Sequence, residues 1–486
     1  MRSGAVVLLV AVLLVGVRPL DAAPEERLFP ETGWRVGGRL LSFWDSSGGL
    51  PVFGLPLGSA ATTATPEGGY LAQLFERERL ELHPDLKPPY DVLLGRLGDE
   101  LLRRQGRDWR AEGEGQPLPG TCRTFSQTGR SVCGPFLDYW SSHGLEFGDA
   151  GVSEREALAL FGLPLTAPRM ETNSSGDRVL AQWFERARFE HHPNNAPPFK
   201  VLLGRLGAEF SGRTTIELPR VQVEVEPPSL LQGRTAAVAV KVDGAVAVRG
   251  DLGGVALPLV PTGASWQAFA GVPPDAAPGP LQLHLEADLA DGRTVIAQQA
   301  LAVIDAGYPS ENINLSQEVR ERLARNAEAI RREREQVNMI WPQVTAERLW
   351  RGPFILPAQG RYSSHYGTRR SYNGGPVDSF HEGLDIANVV GTPIVAAARG
   401  RVVFAQPDLL VRGGAVILDH GLGIHTGYWH QSEVLVRVGE IVEQGQTIGS
   451  MGAKGMVTGS HLHWDVRVGL TPVQPEEWLR RDWSSP

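Results

Sequence analysis

The segment GSHLHWDVRVG near the C-terminus contains two histidines, His461 and His463, that are separated only by Leu462. The β-branched and aromatic residues around them are typical of a β-strand, in which residues i and i+2 lie on one face. The two imidazoles would therefore lie side by side. A polar face beside solvent would explain such a pair, and so would a metal site, because histidine is the commonest metal ligand.

Histidine is concentrated in the last third of the chain. Besides the pair, FHEGLDIA places His381 four residues before Asp385, and HTGYWHQS contains His430. The other histidines of this region are His365, His420 and His425. His420 precedes a glycine and is predicted to be structural, His425 has the weakest case for chemistry, and His365 receives no role.

The spacing of His381 and Asp385 restricts the backbone between them. Zinc binds its ligands at about 2 Å, so the ligand atoms lie roughly 3–3.5 Å apart. Four residues of straight strand would instead span roughly 13 Å. The chain must therefore fold back, and Gly383 is the predicted hinge. On its own, this motif favours a surface His–Asp pair over a metal site.

A catalytic zinc requires three protein ligands and one open position. His381, Asp385 and one member of the His461/His463 pair meet that count. Such a metal polarises carbonyl groups and lowers the pKa of water to about 7. The other imidazole of the pair lies roughly 6–7 Å along the strand. It is suitably placed for a general base or an oxyanion donor.

Three spaced motifs occur in a diagnostic order: HxGxD at 381–385, HGLGIHTGYWH at 420–430, and GQTIGSMGAKGMVTGSHLHWDVRV at 445–468. Together with YGTRR and GTPIVAAARGRVVFA upstream, they closely resemble the lysostaphin/LytM-type zinc metallopeptidases. The resemblance covers roughly residues 350–475. It implies an antiparallel β peptidase domain at the C-terminus.

The resemblance also implies roles for individual residues. His381, Asp385 and His463 would bind one zinc ion per chain. His461 would be the general base, and His430 would orient water or stabilise the tetrahedral oxyanion. Members of this family typically cut peptide bonds in the stem peptide or cross-bridge of peptidoglycan.

Two other functions are compatible with the same residues. Some relatives have lost ligands and act only as activators, so the chain could be a non-catalytic or autoinhibited cell-wall-binding regulator of other wall hydrolases, with residues 306–350 covering the site. It could also be a zinc protease acting on extracellular proteins. Every expected ligand position is filled here, which favours an active enzyme.

The composition is that of a multidomain globular protein. The chain has 486 residues, of which 42% are hydrophobic and 21% charged. A net charge of -8 and the lack of a basic stripe argue against a nucleic-acid partner. We expect a mainly β protein of several domains, with the peptidase domain at residues 351–480.

Residues 1–23 have the pattern of a signal peptide. A basic start at Arg2 precedes an apolar run over residues 5–17, and small residues follow at Ala22 and Ala23. We therefore expect a secreted bacterial protein, extracellular or in the cell envelope. No later segment reaches membrane-spanning length, so no membrane span is expected after signal cleavage. No cysteine follows the run to carry a lipid anchor.

The N-terminal third contains an imperfect duplication, predicted to form two small α+β repeats at residues 26–104 and 121–213. Residues 70–100 align with 179–209, and residues 27–44 align with 123–140. The repeats are predicted to bind wall polymer or to act as spacers. Alternation in LFERERLEL, residues 74–82, predicts one continuous strand. In the second repeat, Cys122 and Cys133 are predicted to form a disulfide.

The segments between the repeats and the peptidase domain differ in pattern. Residues 218–305 alternate apolar and polar residues between turns, which predicts an Ig-like β-sandwich. Residues 306–350, here called the linker, contain one predicted long helix over 316–341 that Ser316 caps. Its apolar stripe comprises Val319, Leu323, Ala327 and Ile330. Its charged residues are predicted to face solvent.

Overall fold

The computed structural model describes residues 25–65, 68–116, 118–213 and 216–483. The predicted signal peptide lies outside the described residues. The chain divides into two compact units. The first extends to Leu218 and includes residues 292–294, and the second comprises the rest. Strands predominate over helices in the described residues, which confirms a mainly β protein.

The first unit consists of two halves with the same order of elements. The first half contains β1 (Glu26–Phe29), β2 (Trp34–Gly37), α1 (Gly38–Ser46), α2 (Gly49–Phe53), β3 (Ala61–Thr65), β4 (Gly68–Leu74), β5 (Arg79–Leu82), β6 (Val92–Leu94) and α3 (Leu97–Arg104). The second half contains β7 (Cys122–Phe125), β8 (Arg130–Cys133), α4 (Pro135–Ser142), α5 (Glu154–Phe161), β9 (Arg169–Thr172), β10 (Arg178–Trp183), β11 (Arg188–His191), β12 (Val201–Leu203) and α6 (Leu206–Ser211). Each half has a two-stranded hairpin and a four-stranded antiparallel sheet.

The predicted disulfide is confirmed. Cys122 and Cys133 face each other across the β7–β8 hairpin and are bonded. The corresponding facing pair in the β1–β2 hairpin is Glu26 and Gly37. The cross-link is therefore specific to the second half.

The continuous strand predicted over residues 74–82 is wrong. Strand β4 ends at Leu74, and β5 begins at Arg79. The intervening residues form a corner, in which the Phe75 amide donates to the Glu78 carbonyl at 2.8 Å. Phe75, Glu78 and Arg79 are all buried, so side chains from both faces of the supposed strand point into protein.

The second unit begins with two sheets. Its elements here are β13 (Gln222–Glu226), β14 (Ser229–Leu231), β15 (Thr235–Lys241), β16 (Ala245–Leu252), β17 (Val255–Ala256), β18 (Val260–Thr262), β19 (Ser265–Gly271), β20 (Gly279–Leu289) and β21 (Thr294–Ile304). The sheet orders are β13-β15-β19-β18 and β14-β21-β20-β16-β17. Alternate residues of β20, from Leu283 to Leu289, are buried, as a strand with one core face requires. The Ig-like type of this region stays a prediction.

The linker contains β22 (Ser310–Ile313), α7 (Gln317–Arg325) and α8 (Ala327–Asn338). The single long helix predicted here is thus interrupted at Asn326. The Ser316 hydroxyl accepts from the Val319 amide, which confirms the predicted cap. No residue of α7 is buried, whereas α8 buries Glu333 and Val337. Among the described residues, every helix is too short or too polar to cross a membrane.

The C-terminal domain is built on a large antiparallel sheet. Its elements are β23 (Arg361–Ser364), β24 (Arg369–Tyr372), β25 (Val377–Phe380), β26 (Leu384–Ala387), β27 (Pro393–Val395), β28 (Gly400–Leu409), β29 (Gly413–Gly421), β30 (Ile424–Val434), β31 (Ile441–Val442), β32 (Thr447–Met451), β33 (His461–Val468), β34 (Thr471–Val473) and α9 (Pro475–Trp478). The main path runs β23-β26-β33-β30-β29-β28-β31. Leu462, Trp464 and Val466 of β33 enter the hydrophobic core, so the opposite face of this strand carries His461 and His463.

Candidate metal and active site

Two neighbouring strands bring the candidate residues together. Strands β26 and β33 are antiparallel, and their register places Asp385 opposite His463 and Ala387 opposite His461. Facing residues of such a pair point to the same side of the sheet, with Cβ atoms about 4.5–5.5 Å apart. The Asp385 carboxylate and the His463 imidazole therefore meet directly, and Asp385 Oδ1 lies 2.8 Å from His463 Nδ1.

His381 reaches the same point from the bend that precedes β26. Its Nε2 lies 3.1 Å from Asp385 Oδ1 and 3.0 Å from His463 Nδ1. The chain folds back as predicted. Glycine is needed at position 383 because it has no side chain, not because its backbone is left-handed. A Cβ at Gly383 would lie 2.5 Å from the Trp464 carbonyl oxygen and 2.7 Å from His463 Nε2. Only glycine leaves room for the imidazole.

The three converging atoms form a triangle that fits a metal ion. Its sides of 2.8, 3.0 and 3.1 Å are close to the spacing of zinc ligands. His381 Nδ1 lies 3.0 Å from the His365 carbonyl oxygen, which only an N–H can satisfy. The neutral ring therefore presents the lone pair of Nε2 to the other two ligand atoms. A metal ion between the three atoms would be bound by this lone pair, by the Asp385 carboxylate and by His463 Nδ1 in its neutral form.

Burial and mutual contact set the charges of this triangle. Burial lowers the pKa of His381, and Asp385 offsets this only in part. Burial would raise the pKa of Asp385, but contacts with His381 and His463 hold it well below its ordinary value. Burial would likewise lower the pKa of His463, but Asp385 raises it above its usual value. The site thus holds a carboxylate anion beside two imidazoles, a donor set suited to zinc.

His461 lies beside the triangle and outside it. Its Nε2 is 3.8 Å from Asp385 Oδ1. Its Nδ1 lies 3.0 Å from the Gly459 carbonyl oxygen and therefore carries the proton in the neutral ring. The lone pair of Nε2 is left on the side of Asp385. This is the arrangement that a general base requires.

His430 approaches from the next strand, β30. Its ring centroid lies 4.9 Å from that of His461 and 6.3 Å from that of His463. Its Nδ1 lies 3.0 Å from the Lys454 carbonyl oxygen, so the neutral ring also leaves its Nε2 lone pair free. Burial and the neighbouring His463 and His461 lower its pKa to about 3. The ring is therefore neutral at physiological pH.

The backbone of His430 is unusual. Its φ angle is +67°, in a region that few residues other than glycine adopt. Such a conformation persists only where the surroundings impose it, and it is common at functional sites. The sequence contains no signal for it, because the residues that impose it lie on other segments.

The remaining histidines of the region lie outside this cluster. His420 is fully buried, and its Nδ1 lies 2.9 Å from the Arg399 carbonyl oxygen, which agrees with the predicted structural role. His425 is buried, and its ring centroid lies 5.9 Å from that of Trp341. His365 contributes its backbone carbonyl to His381, while its ring is largely exposed.

Backbone groups that hold the imidazoles were not predicted. The carbonyls of His365, Lys454 and Gly459 each set the tautomer of one histidine. A carbonyl is present in every residue, so its use leaves no trace in residue type. The hydroxyl of Ser364, 3.2 Å from His381 Nδ1, was also missed.

Comparison with known proteins agrees with this geometry. The family described as peptidase family M23 matches residues 379–475. The chain is 37% identical over 120 residues to the peptidoglycan DD-endopeptidase ShyA of Vibrio cholerae, covering 25% of this chain and 28% of that protein. It is 34% identical over 130 residues to a lipoprotein NlpD/LppB homolog of Pseudomonas aeruginosa, covering 27% of this chain and 41% of that protein.

Among solved structures, the catalytic domain of the antimicrobial peptidase lysostaphin from Staphylococcus simulans is similar to 27% of this chain. The match covers 90% of that structure, with 29% identity and a TM-score of 0.21. The chain covers 28% and 41% of the lengths of the two curated relatives above, and the family match lies in its C-terminal part.

Proposed function

We propose that this chain, whose residues 379–475 form a peptidase family M23 domain, is a zinc metalloendopeptidase that hydrolyses peptide bonds in peptidoglycan. The observation that carries the proposal is the triangle of His381 Nε2, Asp385 Oδ1 and His463 Nδ1, flanked by two further imidazoles. Peptidoglycan is the proposed substrate because the relative ShyA is described as a peptidoglycan DD-endopeptidase.

His381, Asp385 and His463 would bind one zinc ion per chain. When bound, zinc polarises a carbonyl group and makes water more acidic. The three residues supply one negative charge and two neutral nitrogen ligands, which leaves the site net positive with zinc and able to stabilise developing negative charge. A fourth position would stay open for the reactants.

His461 is the proposed general base. Its Nδ1 proton is engaged by the Gly459 carbonyl, so Nε2 is the atom that accepts a proton from the attacking water. The same nitrogen can return that proton to the leaving amine. The 3.8 Å distance from His461 Nε2 to Asp385 Oδ1 keeps the imidazole near the ligands without making it one of them.

For His430, the geometry favours the role of orienting water over that of stabilising an oxyanion. An oxyanion needs a donor, but the proton of the neutral His430 ring is engaged by the Lys454 carbonyl. A pKa of about 3, lowered by burial and by the neighbouring histidines, opposes a second proton. The lone pair of Nε2 can instead accept a hydrogen bond from water and fix its orientation.

The linker offers no polar contact in support of the autoinhibited alternative. Among the residues that the structure describes, no linker side chain forms a hydrogen bond or ion pair with His381, Asp385, His430, His461 or His463. We also propose a location in the bacterial envelope outside the cytoplasm, which the signal-peptide pattern and the Cys122–Cys133 disulfide support.

Digestion of purified sacculi tests the proposed activity. We expect the full chain to release muropeptides whose masses report cleaved peptide cross-links, and a chelator to abolish the release. Casein digested at a comparable rate, with sacculi untouched, would instead indicate a protease of extracellular proteins. Sacculi bound without release would indicate the non-catalytic regulator.

The N-terminal repeats are proposed to bind wall polymer. A fragment of residues 26–213, which contains the two halves of the first compact unit, should co-sediment with sacculi. If the fragment stays in the supernatant at several salt concentrations, the repeats act as spacers.

A further inference from the structure

The linker helix α8 packs on the face of the sheet that carries the site. Val337 and Trp341 join a hydrophobic cluster with Phe404, Ile417 and Trp429. Trp429 stands directly opposite His463 in the β30–β33 register, so both side chains lie on one face. The end of the linker is therefore part of the domain's active-site face.

One charged residue of α8 is buried in this contact. The side chain of Glu333 is 5% exposed, and its carboxylate accepts hydrogen bonds from the backbone amides of Val411 at 2.9 Å and Arg412 at 3.1 Å. The Arg412 guanidinium lies at 3.2 Å. A buried carboxylate is costly unless such donors surround it, so the helix and the 411–412 loop are held in one relative position.

The 411–412 loop also forms the hydrogen bonds that position His430. The His430 amide donates to the Arg412 carbonyl at 2.7 Å, and the Met456 amide donates to the Val411 carbonyl at 2.9 Å. The second bond fixes the segment whose Lys454 carbonyl accepts from the His430 ring. Both the backbone and the imidazole of His430 thus depend on loops that Glu333 anchors.

We propose that Glu333 is a positioning residue for His430, so that the linker completes the active site. The left-handed backbone of His430, at φ +67°, is the conformation that needs such external support. The inference deepens the proposed function and rests on it. Its consequence is that α8 contributes to turnover without touching substrate or metal ligand.

Steady-state hydrolysis of a purified cross-linked muropeptide, with zinc content measured in parallel, tests the proposal. We expect Glu333→Ala to lower kcat by about 10- to 100-fold, because small displacements of a catalytic group have effects of that size. Zinc content should equal that of the wild type. Glu335→Ala, on the exposed side of the same helix, is the matched control and should leave kcat unchanged.

The double variant separates positioning from general scaffolding. If Glu333 acts through His430, then Glu333→Ala should have no further effect on kcat in a His430→Ala background. An equal fold-loss in both backgrounds would overturn the proposal. If Glu333→Ala misfolds, Glu333→Gln provides the same comparison, because it keeps one acceptor oxygen but loses the second and the charge.

Hydrogen exchange provides a readout that does not depend on activity. In the full-length zinc-loaded protein, Glu333→Ala should speed exchange in peptides that contain residues 411–412 and 430, relative to wild type and Glu335→Ala. Unchanged exchange at both places would overturn the positioning role. If the wild-type protein cuts no muropeptide, the proposed function fails, yet the exchange result still decides whether Glu333 holds His430.

Discussion

The first unit and the C-terminal domain both bury clusters of charged side chains, but they balance the charges differently. In the first unit, the Arg79 guanidinium donates to Glu81 at 2.6 Å and to both oxygens of Glu100, at 2.7 and 3.1 Å. Each carboxylate meets a cation from the protein itself. Arg79 is 5% exposed and Glu81 7%, so this ion pair is held away from water.

The same arrangement occurs in the second half of the unit, where Arg188 contacts Glu190 and Glu209 at 2.6 and 2.7 Å. In the C-terminal domain, Asp385 instead meets two imidazoles that direct nitrogen atoms at the same point. The comparison shows what distinguishes a structural cluster from a binding one. The first is complete within the chain, and the second has the donor set of a possible metal site.

The largest expected effect is the loss of a proposed ligand from the His381/Asp385/His463 cluster. His463→Ala removes one of the three proposed protein ligands, so zinc content should fall from the expected one per chain towards zero, and hydrolysis should become undetectable. His381→Ala and Asp385→Ala should behave alike. Metal analysis by mass spectrometry beside the muropeptide assay measures both effects. Stoichiometric zinc in all three variants would place the metal elsewhere.

A smaller effect is expected from the histidine next to that ligand. His461→Ala leaves three ligands, so zinc should stay near one per chain. Activity should still fall by about 10²–10⁴-fold, or roughly 3–5 kcal/mol of barrier, because the proposed general base is lost. If His461→Ala loses zinc while His463→Ala keeps it, the two roles are reversed. Full activity in His461→Ala would move the base to His430.

Much of the site follows from local sequence patterns. HxGxD and HLH supply the candidate side chains through local properties, a bend before one strand and the period of two in its neighbour. That they converge, with His463 rather than His461 as the proposed ligand, was implied by the family resemblance and depends on the β26–β33 pairing. Ser316 as a helix cap and the Cys122–Cys133 pair are local in the same sense. The helix cap and the disulfide can be predicted without knowing which distant segments of the chain meet.

Other features depend on contacts between distant segments, and these could not be predicted. Glu333 lies in a run of charged residues that predicts exposure, yet the 411–412 loop buries it. The corner at residues 75–78 contains neither glycine nor proline, so the alternation continues through it without a signal. The left-handed backbone of His430 likewise depends on the Arg412 and Lys454 carbonyls.

The Arg79–Glu81–Glu100 cluster should contribute to stability rather than to metal binding. Arg79→Met leaves the buried Glu81 and the partly buried Glu100 without their arginine partner, which should destabilise the first unit by about 3–5 kcal/mol. Scanning calorimetry should show a lower unfolding temperature for that unit. Metal analysis should show unchanged zinc content. Arg27→Met, which breaks the exposed pair with Asp45, is the control and should change little. Equal small shifts in both variants would remove the distinction between buried and exposed pairs.

Glu477 is intermediate between the two kinds of cluster in how far its charge is paired. Its substitution gives the smallest expected effect. Its carboxylate is 10% exposed, accepts from the Thr235 amide at 2.7 Å, and has Arg234 only at 3.6 Å. Burial raises its pKa to about 7, and Thr235 and Arg234 offset this only in part. Arg234 therefore neutralises the Glu477 carboxylate only in part, and a proton rather than a metal ion supplies the remaining charge.

The sign of the pH dependence follows from this shift. The folded state holds a proton on Glu477 that an unfolded glutamate releases near pH 4.3. The stability that this proton contributes is fully present below that pH and is lost as the pH rises through about 7. Glu477→Gln keeps an acceptor for Thr235 but never ionises, so its stability relative to wild type should rise by about 1–3 kcal/mol between pH 5 and pH 8. Urea denaturation of both proteins at the two pH values measures this difference. A difference that stays constant between pH 5 and 8 would mean that Glu477 is ionised throughout and that Arg234 completes the pair.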